Sequence, residues 1–432
     1  RLPRAGRAAE NAEVGMKIYQ KTPVSARSHT EKAEIPLDSE SARSFGFAPS
    51  GGALRCAPVL RPLDISPPAG ETPAAAYRLE TGSGSCYALY CASGKTYFMG
   101  AAGTFAESAI SFSRMPAAVE AYADEHVVLL SDGANTALMT AEGIAAREDI
   151  PAFACGAWHY ERLWLAAAGE DSVRFSAPGS YADFSEGTGR GGKIAFPDAM
   201  GEISALVPLG IYLYVFRARG VQRLEARGAE RDFSLRDLFG CGGIYAGSAA
   251  AAGGKLFWAE EDGIYASDGT RAERIRSDLC GQPLSAASEM RAAAVGRGYA
   301  LSVGQTLAVI DADGAAYIAA EDAAGLVPYA CGALCIRQGK ICAFAAQNAL
   351  RTWTSGPVSA GGRAVLRAVR VRARGRFDLC IASGGGERRI SVFGEGTRRY
   401  PVNLAGENFT FRLQTEGAGE VYSLSAEYER GG

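Results

Sequence analysis

A repeated unit of short apolar runs and glycine-containing turns constrains the fold more than any other feature of this sequence. In one unit, the apolar runs 126–130 and 136–139 are separated by a Ser-Asp-Gly turn at 131–133. Similar successions recur at 255–269 and at 299–318. Glycine and Asp-Gly sequences tolerate the positive φ angles that tight hairpin turns require. The repeats therefore predict a series of β-hairpins.

The repeats have a period of about 35–45 residues, which is typical of β-propeller blades. Near-continuous apolar runs are typical of strands buried on both faces, so we expect 127–130, 213–216 and 307–310 in inner or central strands. Helix is limited to one expected turn at 235–239. The sequence thus predicts an all-β fold, a β-propeller of about seven blades, give or take one. The predicted units are 77–110, 115–149, 153–188, 192–227, 240–275, 288–320 and 326–356.

From residue 361 onward the pattern becomes a two-residue alternation. Arginines alternate with apolar residues or glycine between Val369 and Phe377, and alternation recurs at 408–413 and 422–428. A period of two is typical of a strand with one buried face. With further strands expected at 388–393 and 398–404, residues 361–432 are predicted to form a small antiparallel β-sandwich.

The rest of the chain divides into two predicted segments. Residues 1–16 are expected to be a loosely ordered extension, because a more structured stretch opens at Met16. The propeller is predicted to span 17–360, with a lead-in at 17–76 and blades at about 77–356. The lead-in is rich in prolines and turn residues, and we expect it to close the ring by supplying a strand to the last blade.

Composition argues against several classes of partner. The formal net charge of −2 provides no general attraction to nucleic acid or to an anionic membrane. The sequence has no run of about 20 apolar residues that could span a membrane as a helix. The ten cysteines are scattered, without C-x-x-C spacing. We therefore expect reduced thiols and assembly in a reducing cytoplasm.

The chain has few groups suited to catalysis. Its histidines, His29, His126 and His159, have no acidic residue at a spacing that indicates a relay. The Ser-Asp-Gly turns lack the downstream tryptophan of a sialidase Asp-box, and the carboxylates at 260–262 are expected to diverge on a turn. The Asp-x-Asp-Gly sequence at 311–314 lacks the remaining ligands of a calcium loop. We predict no catalytic residues, no cofactor, no bound metal and no enzymatic activity.

Four arginines on one strand are the candidate interface residues: Arg370, Arg372, Arg374 and Arg376. Their spacing places them on one face over about 20 Å. The same segment has no lysine and contains a second group of arginines, Arg388, Arg389, Arg398 and Arg399. An isolated sheet gains nothing from a row of like charges, and arginine binds carboxylate and phosphate bidentately. The row is a candidate contact with an acidic subunit or the lining of a DNA passage, and a solvated face is the alternative.

The stretch 158–217 has a distinctive order of motifs. Arg162-Leu163 and an apolar residue precede a loop containing Phe175-Ser176-Ala177-Pro178-Gly179 and Asp183-Phe184-Ser185, and a blade-like run follows at 201–217. This order resembles tailed-bacteriophage virion proteins, namely propeller-type tail hub, nozzle or neck components. The chain departs from that pattern at Ser180-Tyr181, where the family often has an acidic residue.

The resemblance implies a non-enzymatic virion protein that assembles as a ring in the bacterial host cytoplasm. Its partners would be copies of itself and other tail or neck proteins, around a channel that passes DNA without sequence-specific binding and without a membrane. The alternative is a propeller that recognises a carbohydrate or peptide at its funnel, as in host recognition. Ring assembly predicts arginines at subunit interfaces, whereas a binding module predicts exposed aromatic side chains and carboxylates that converge at the funnel.

Overall fold

The computed structural model describes residues 30–430 except for 39–41, 83, 197, 286–287, 331 and 347. The predicted extension at 1–16 and the start of the lead-in, 17–29, lie outside the described residues. The described lead-in has five strands: β1 (Thr30–Glu34), β2 (Arg43–Phe45), β3 (Phe47–Ser50), β4 (Ala53–Cys56) and β5 (Val59–Pro62).

Five four-stranded antiparallel sheets follow along the chain, and we name them blades 1 to 5. Blade 1 is β6 (Pro73–Thr81), β7 (Gly84–Cys91), β8 (Lys95–Met99) and β9 (Ala106–Ser111). Blade 2 is β10 (Ala117–Tyr122), β11 (His126–Ser131), β12 (Thr136–Met139) and β13 (Ile144–Ala146). Blade 3 is β14 (Cys155–His159), β15 (Arg162–Ala166), β16 (Ser172–Phe175) and β17 (Gly192–Ala195). Blade 4 is β18 (Ile203–Leu209), β19 (Tyr212–Arg217), β20 (Gly220–Glu225) and β21 (Ser234–Gly240). Blade 5 is β22 (Ala250–Ala252), β23 (Lys255–Glu260), β24 (Gly263–Ser267) and β25 (Ala272–Arg276).

Two further units complete the ring. The closing blade consists of β30 (Ala323–Tyr329), β31 (Gly332–Arg337), β32 (Lys340–Ala345) and β5 of the lead-in, which pairs with β32. Before it lies the fused meander, β26 (Met290–Val295), β27 (Gly298–Val303), β28 (Thr306–Ile310) and β29 (Ala316–Ala320), which belongs to a 12-stranded sheet. The first strand of the fused meander contacts the first strands of blade 5 and of the closing blade.

The described chain thus has six separate four-stranded blades, where about seven were predicted. The unit predicted at 288–320 is present as a meander, but β2 joins its outer strand to the C-terminal sheet. The predicted all-β propeller is confirmed. The runs 127–130, 213–216 and 307–310 lie in β11, β19 and β28, and every residue of these runs is at most 5% exposed. These strands are buried on both faces because each is a central strand between neighbouring blades.

Three predicted boundaries differ from the structure. The unit predicted at 192–227 begins with β17, which is the outer strand of blade 3. The unit predicted at 240–275 begins at the last residue of β21, the outer strand of blade 4. The helical turn expected at 235–239 is part of β21, and the helical residues are the 3-10 turn Glu230–Asp232. Long loops precede these outer strands, so their positions do not follow the spacing of the other strands.

The C-terminal residues form the other part of the 12-stranded sheet. Its strands are β33 (Arg351–Thr354), β34 (Val358–Ser383), β35 (Gly386–Thr415) and β36 (Gly419–Arg430). β34 and β35 form a long hairpin in which Val369 is opposite Tyr400 and Ser383 is opposite Gly386. The two ends of β34 both lie beside 405–409 of β35, so the sheet curves round on itself. A single buried cluster from β33 to β36 and the lead-in fills the space inside the curve.

The lead-in is held by Arg351, which is only 2% exposed. Its guanidinium donates hydrogen bonds to the carbonyl oxygens of Ala57 in the lead-in and of Ala349, at 3.2 Å each. Gly46 packs on the Arg351 side chain with a φ of 70°. A Cβ at Gly46 would lie 2.7 Å from Val59 and 3.0 Å from Arg351. This glycine therefore allows the lead-in to pass between the propeller and the C-terminal sheet.

The described residues also show the state of the cysteines and the absence of a membrane-spanning helix. All nine described cysteines are free thiols. Among the residues that the structure describes, no helix is long and apolar enough to cross a membrane.

Asp132 connects blades 1 and 2 through a buried turn. Its carboxylate accepts hydrogen bonds from the backbone N–H groups of Ala134 and Asn135. It also accepts from the backbone N–H and from the hydroxyl of Ser113. Burial alone would raise the pKa of Asp132, but the hydrogen bonds from Asn135, Ser113 and Ala134 lower it to about 2. Asp268 occupies a similar Ser-Asp-Gly turn, but its side chain is exposed.

Replacing Asp132 by alanine is expected to lower the free energy of unfolding by about 2–3 kcal/mol, because buried N–H groups lose a charged acceptor. Since the folded-state pKa is below the ordinary value of about 3.9, the stabilisation is present above pH ~4 and is lost as the pH falls towards 2. Denaturant unfolding of the wild type and Asp132→Ala at several pH values measures both effects. Asp268→Ala is the matched control, and an equal loss in both variants would contradict the prediction.

A second prediction concerns Gly46. We expect Gly46→Ala to be about 1–3 kcal/mol less stable than Gly51→Ala, because both residues have positive φ but only Gly46 has neighbours within 4 Å of the added methyl group. Thermal and denaturant unfolding of both variants gives the difference. If the two variants have equal stability, the close passage of the lead-in beside Arg351 is not important for stability.

Candidate interaction surface

The arginine face, defined as Arg370, Arg372, Arg374 and Arg376, lies on β34. All four side chains are exposed. The residues between them point into the core, and Val369, Val371, Ala373 and Phe377 are at most 3% exposed. The structure therefore has the alternation that the sequence predicts, with one apolar side and one charged side of the strand.

Glu427 of β36 binds two arginines at once. Its side chain is 5% exposed, and its carboxylate accepts from Arg370 Nε at 2.5 Å and from Arg399 Nε at 2.8 Å. Arg370 and Arg399 are directly opposite each other on β34 and β35. The hydrogen bond from Arg370 lowers the pKa of Glu427, burial opposes this, and Arg399 lowers it further. Arg370 is therefore neutralised within the chain.

Glu420 of β36 has a similar role for Arg374. Its carboxylate lies 3.6 Å from the guanidinium nitrogens of Arg374 and of Arg55. The Tyr422 hydroxyl donates to the same carboxylate and is the main cause of the lowered pKa of Glu420. The expectation that an isolated sheet gains nothing from the arginine row is thus wrong for Arg370 and Arg374. The reason is that β36, the neighbouring strand, presents acidic residues to them.

Arg372 of the face and Arg398 of the neighbouring strand β35 lie over aromatic rings. Arg372 lies 5.5 Å from the ring centroid of Tyr422, and Arg398 lies 5.5 Å from that of Phe393, which is opposite Arg376. Phe393 is 56% exposed and Tyr422 is 36% exposed. Within the described residues, Arg372, Arg376 and Arg398 form no ion pair within 4.0 Å. We call Arg372, Arg376, Phe393, Arg398 and Tyr422 the arginine–aromatic patch.

A cleft of about 490 Å3 opens beside this patch. It is lined by Leu350, by the β34 residues Arg376, Phe377 and Asp378, and by residues 414–418. Leu350 is 61% exposed, which is the highest exposure of any large apolar side chain that the structure describes. The cleft thus adds a depression with one exposed leucine to a charged surface, and mixed apolar and charged surfaces are typical of protein–protein contacts.

A second surface lies on the propeller. Each blade is a meander that begins with its inner strand, so the turns between first and second strands share one face of the ring, which we call the turn face. His126 on this face has Nδ1 2.9 Å from the Glu80 carbonyl oxygen and Nε2 3.3 Å from the Glu120 carboxylate. Tyr122 stacks on His126, with ring centroids 4.3 Å apart, and its hydroxyl donates to Glu120. The backbone N–H of Ala330, in the closing blade, donates to the same carboxylate at 2.8 Å.

The sequence search for an acidic residue at a relay spacing from a histidine missed the contact between Glu120 and His126. The hairpin register places Tyr122 opposite His126, and Glu120 follows on the same face of β10. Only the spacing across the three-residue turn at 123–125 could have indicated this pair. The group connects blade 1, blade 2 and the closing blade through hydrogen bonds.

The other residues considered for chemistry are separate from one another. His159 is 9% exposed, and burial lowers its pKa. Glu260 is buried and accepts from Trp258 Nε1 and from the Gly242 N–H, whereas residues 261 and 262 are exposed, so these carboxylates do diverge. Asp311 accepts backbone hydrogen bonds within a hairpin turn.

Across the part of the chain that the structure describes, no group of three or more His, Cys, Asp or Glu could hold a metal ion. His29 lies outside the described residues.

The motifs at 158–217 hold a loop on blade 3. Arg162 is 2% exposed and donates to the carbonyl oxygens of Ser176 at 2.7 Å and of Arg190 at 2.8 Å. The Ser176 hydroxyl accepts from the Leu163 N–H at 2.8 Å. Arg162 therefore fixes both ends of the loop between β16 and β17, and these motif residues are structural in this chain.

Comparisons with known proteins identify no family for this chain. No family model matches the chain, and no curated protein matches it. Among solved structures, PorZ of Porphyromonas gingivalis, a surface component of the type-IX secretion system, is 10% identical with a TM-score of 0.42, over 77% of this chain and 46% of that one. The Neurospora crassa Pan2 WD40 domain is 8% identical with a TM-score of 0.43, over 67% and 94%. A Xanthomonas campestris gluconolactonase is 13% identical with a TM-score of 0.37, over 65% and 98%.

The chain spans less than half the length of PorZ. Identities and TM-scores at this level carry no information about function. The strand order places the chain in a broad class, the β-propeller proteins, here with a C-terminal sheet that is continuous with one of the propeller's meanders.

Removal of the Glu427 charge is the test of the internal arginine pairing. We expect Glu427→Gln to lower the free energy of unfolding by about 1–2 kcal/mol, because Arg370 and Arg399 lose their shared acceptor and repel each other. Glu387→Gln is the matched control, since the Glu387–Arg389 pair is exposed, and it should unfold like the wild type. Urea unfolding measures both variants, and equal midpoints would show that Glu427 does not stabilise the arginine face.

Proposed function

We propose that this protein is a non-enzymatic structural component of a phage tail, a hub, nozzle or connector. It assembles with copies of itself and with other tail or neck proteins, around a channel through which DNA passes without sequence-specific contacts. Assembly takes place in the host cytoplasm, where free thiols persist, and the protein is carried in the virion. The resemblance at 158–217 supports the proposal, as do motif residues that stabilise a loop instead of holding reactive groups.

The arginine–aromatic patch is the observation that carries this proposal. Arginine, tyrosine and phenylalanine are enriched in protein interfaces, and most of the binding energy comes from a few such residues. Arg372 and Arg398 lie over aromatic rings, and Arg372, Arg376 and Arg398 have no carboxylate partner within 4.0 Å among the described residues. An acidic partner would therefore gain charge-assisted hydrogen bonds without first breaking ion pairs inside the chain.

The connection between the two parts of the chain supports a structural role. β2 pairs with β29 on one side and with β33 on the other, so backbone hydrogen bonds run from the fused meander into the C-terminal sheet. A surface on the C-terminal sheet is thus fixed relative to the ring. A component that connects neighbours at defined positions requires such fixed surfaces.

Replacement of patch arginines tests the proposal. We expect the wild type to form multimers in size-exclusion chromatography with light scattering, and rings in negative-stain images. Arg372→Ser/Arg376→Ser is expected to be mainly monomeric with an unchanged melting temperature. These two arginines are preferable to Arg370 and Arg374, whose loss would leave acidic groups of β36 with fewer partners.

The control is Arg271→Ser/Arg274→Ser, which removes the same charge from one exposed arginine just before β25 and one on it, and should assemble like the wild type. A wild-type protein that stays monomeric at every concentration contradicts the proposed function. So does a patch variant that assembles normally.

A further inference from the structure

Large exposed apolar side chains are concentrated on two surfaces. Six such side chains are at least 36% exposed among the described residues. Phe393 and Tyr422 belong to the arginine–aromatic patch, and Leu350 lines the cleft beside it. Tyr122 and Ile211, 47% and 54% exposed, lie on the turn face. Exposed apolar groups are typical of contact surfaces, and both the arginine–aromatic patch and the turn face have them.

At blades 2 and 3 the turn face is acidic, whereas the arginine–aromatic patch is basic. Asp124 and Glu125 form the turn of blade 2 and are exposed, and so is Glu161 in the turn of blade 3. The loop of blade 3 connects these turns, since Tyr181 donates to Glu125 and the Gly179 N–H donates to the Glu161 carbonyl oxygen. The half-buried Glu80 and Glu120 have partners within the chain, since Glu80 pairs with Arg78 at 2.6 Å and Glu120 accepts from the Ala330 N–H at 2.8 Å. We call the three exposed residues Asp124, Glu125 and Glu161 the acidic turn patch.

The charge of the whole chain is divided in the same way. Residues 361–432 contain 12 arginines and eight acidic residues, whereas 1–360 contain 33 basic and 39 acidic residues. The net charges are therefore +4 and −6. The two parts of the molecule attract each other between copies, and contacts between like surfaces are disfavoured.

We propose that the arginine–aromatic patch of one copy docks on the acidic turn patch of a second copy, in a head-to-tail contact. This inference rests on the proposed function and names the partner of its interface. Arg372 and Arg376 bind the carboxylates of Asp124, Glu125 and Glu161, while Phe393 and Tyr422 pack against the exposed Tyr122. The partner is a second copy because both complementary surfaces are present on this chain.

The symmetry of the contact between two copies follows from the pairing of a basic surface with an acidic one. A two-fold symmetric contact would place arginines against arginines or carboxylates against carboxylates. A head-to-tail contact avoids this and leaves one free surface of each kind on every copy. Repetition therefore closes a ring or continues as a filament, as the rotation between copies decides.

Charge reversal on each surface tests the contact. The patch variant is Arg372→Glu/Arg376→Glu, and the turn variant is Asp124→Arg/Glu125→Arg. We expect each to be monomeric alone. An equimolar mixture should assemble again. The unchanged arginines of the turn variant bind the unchanged carboxylates of the patch variant, and the new glutamates of the patch variant bind the new arginines of the turn variant. The readouts are light scattering and negative-stain microscopy, with melting temperatures to show that both variants are folded.

The matched control is Glu261→Arg/Asp262→Arg, which changes an adjacent acidic pair on a turn between second and third strands, on the opposite face of the ring. It should assemble like the wild type. A turn variant that assembles normally while the patch variant does not overturns the head-to-tail contact but leaves the proposed function in place. Failure of the mixture to recover also overturns it. Retention by immobilised glycans that is lost only in the turn variant would assign the turn face to a carbohydrate instead.

Discussion

Closure of the ring by a strand from before blade 1 is the constraint on which the rest of the structure depends. β5 precedes the propeller in the chain and completes its last blade by pairing with β32. The ends of the ring are thereby joined by backbone hydrogen bonds, and no covalent link is needed. The same lead-in places β2 between β29 and β33, so closure of the ring also fixes the C-terminal sheet. Arg351 and Gly46 stabilise this crossing because a buried guanidinium needs several acceptors and only a glycine fits beside it.

The neighbouring strands decide which arginines are available for a partner. Glu427 and Glu420 neutralise Arg370 and Arg374 within the sheet, so these residues stabilise the fold. Arg372 and Arg376 share the strand and the exposed face, yet Arg372 lies over the Tyr422 ring and neither forms an ion pair with the described residues. A uniform row in the sequence is therefore divided into two stabilising residues and two residues free for assembly. That division is the physical basis for expecting the arginine–aromatic patch to form the contact.

Much of the fold could be predicted because it depends on local patterns. Hairpin turns need positive φ angles, and central strands need apolar residues on both faces, so runs such as 127–130 are recognisable without any knowledge of their neighbours. The outer strands β17 and β21 were misplaced because long loops precede them. The candidate site was only partly predictable: the arginine face was visible as an alternation, but its partners on β36 are about 50 residues away in sequence. The pairing of His126 with Glu120 likewise depends on the register of a hairpin.

The sequence by itself determined the β-structure, the repeated blade and the two-sided character of β34, since each follows from turn residues and from the period of apolar positions. Tertiary structure decided how the pieces join: six separate blades, a seventh meander fused to the C-terminal sheet, and two surfaces of opposite charge. The physical reason is that strand pairing between distant segments depends on backbone hydrogen bonds, which nearly every residue type can form. Local patterns specify which residues form strands, but the choice of partner strand is made only when the whole core packs.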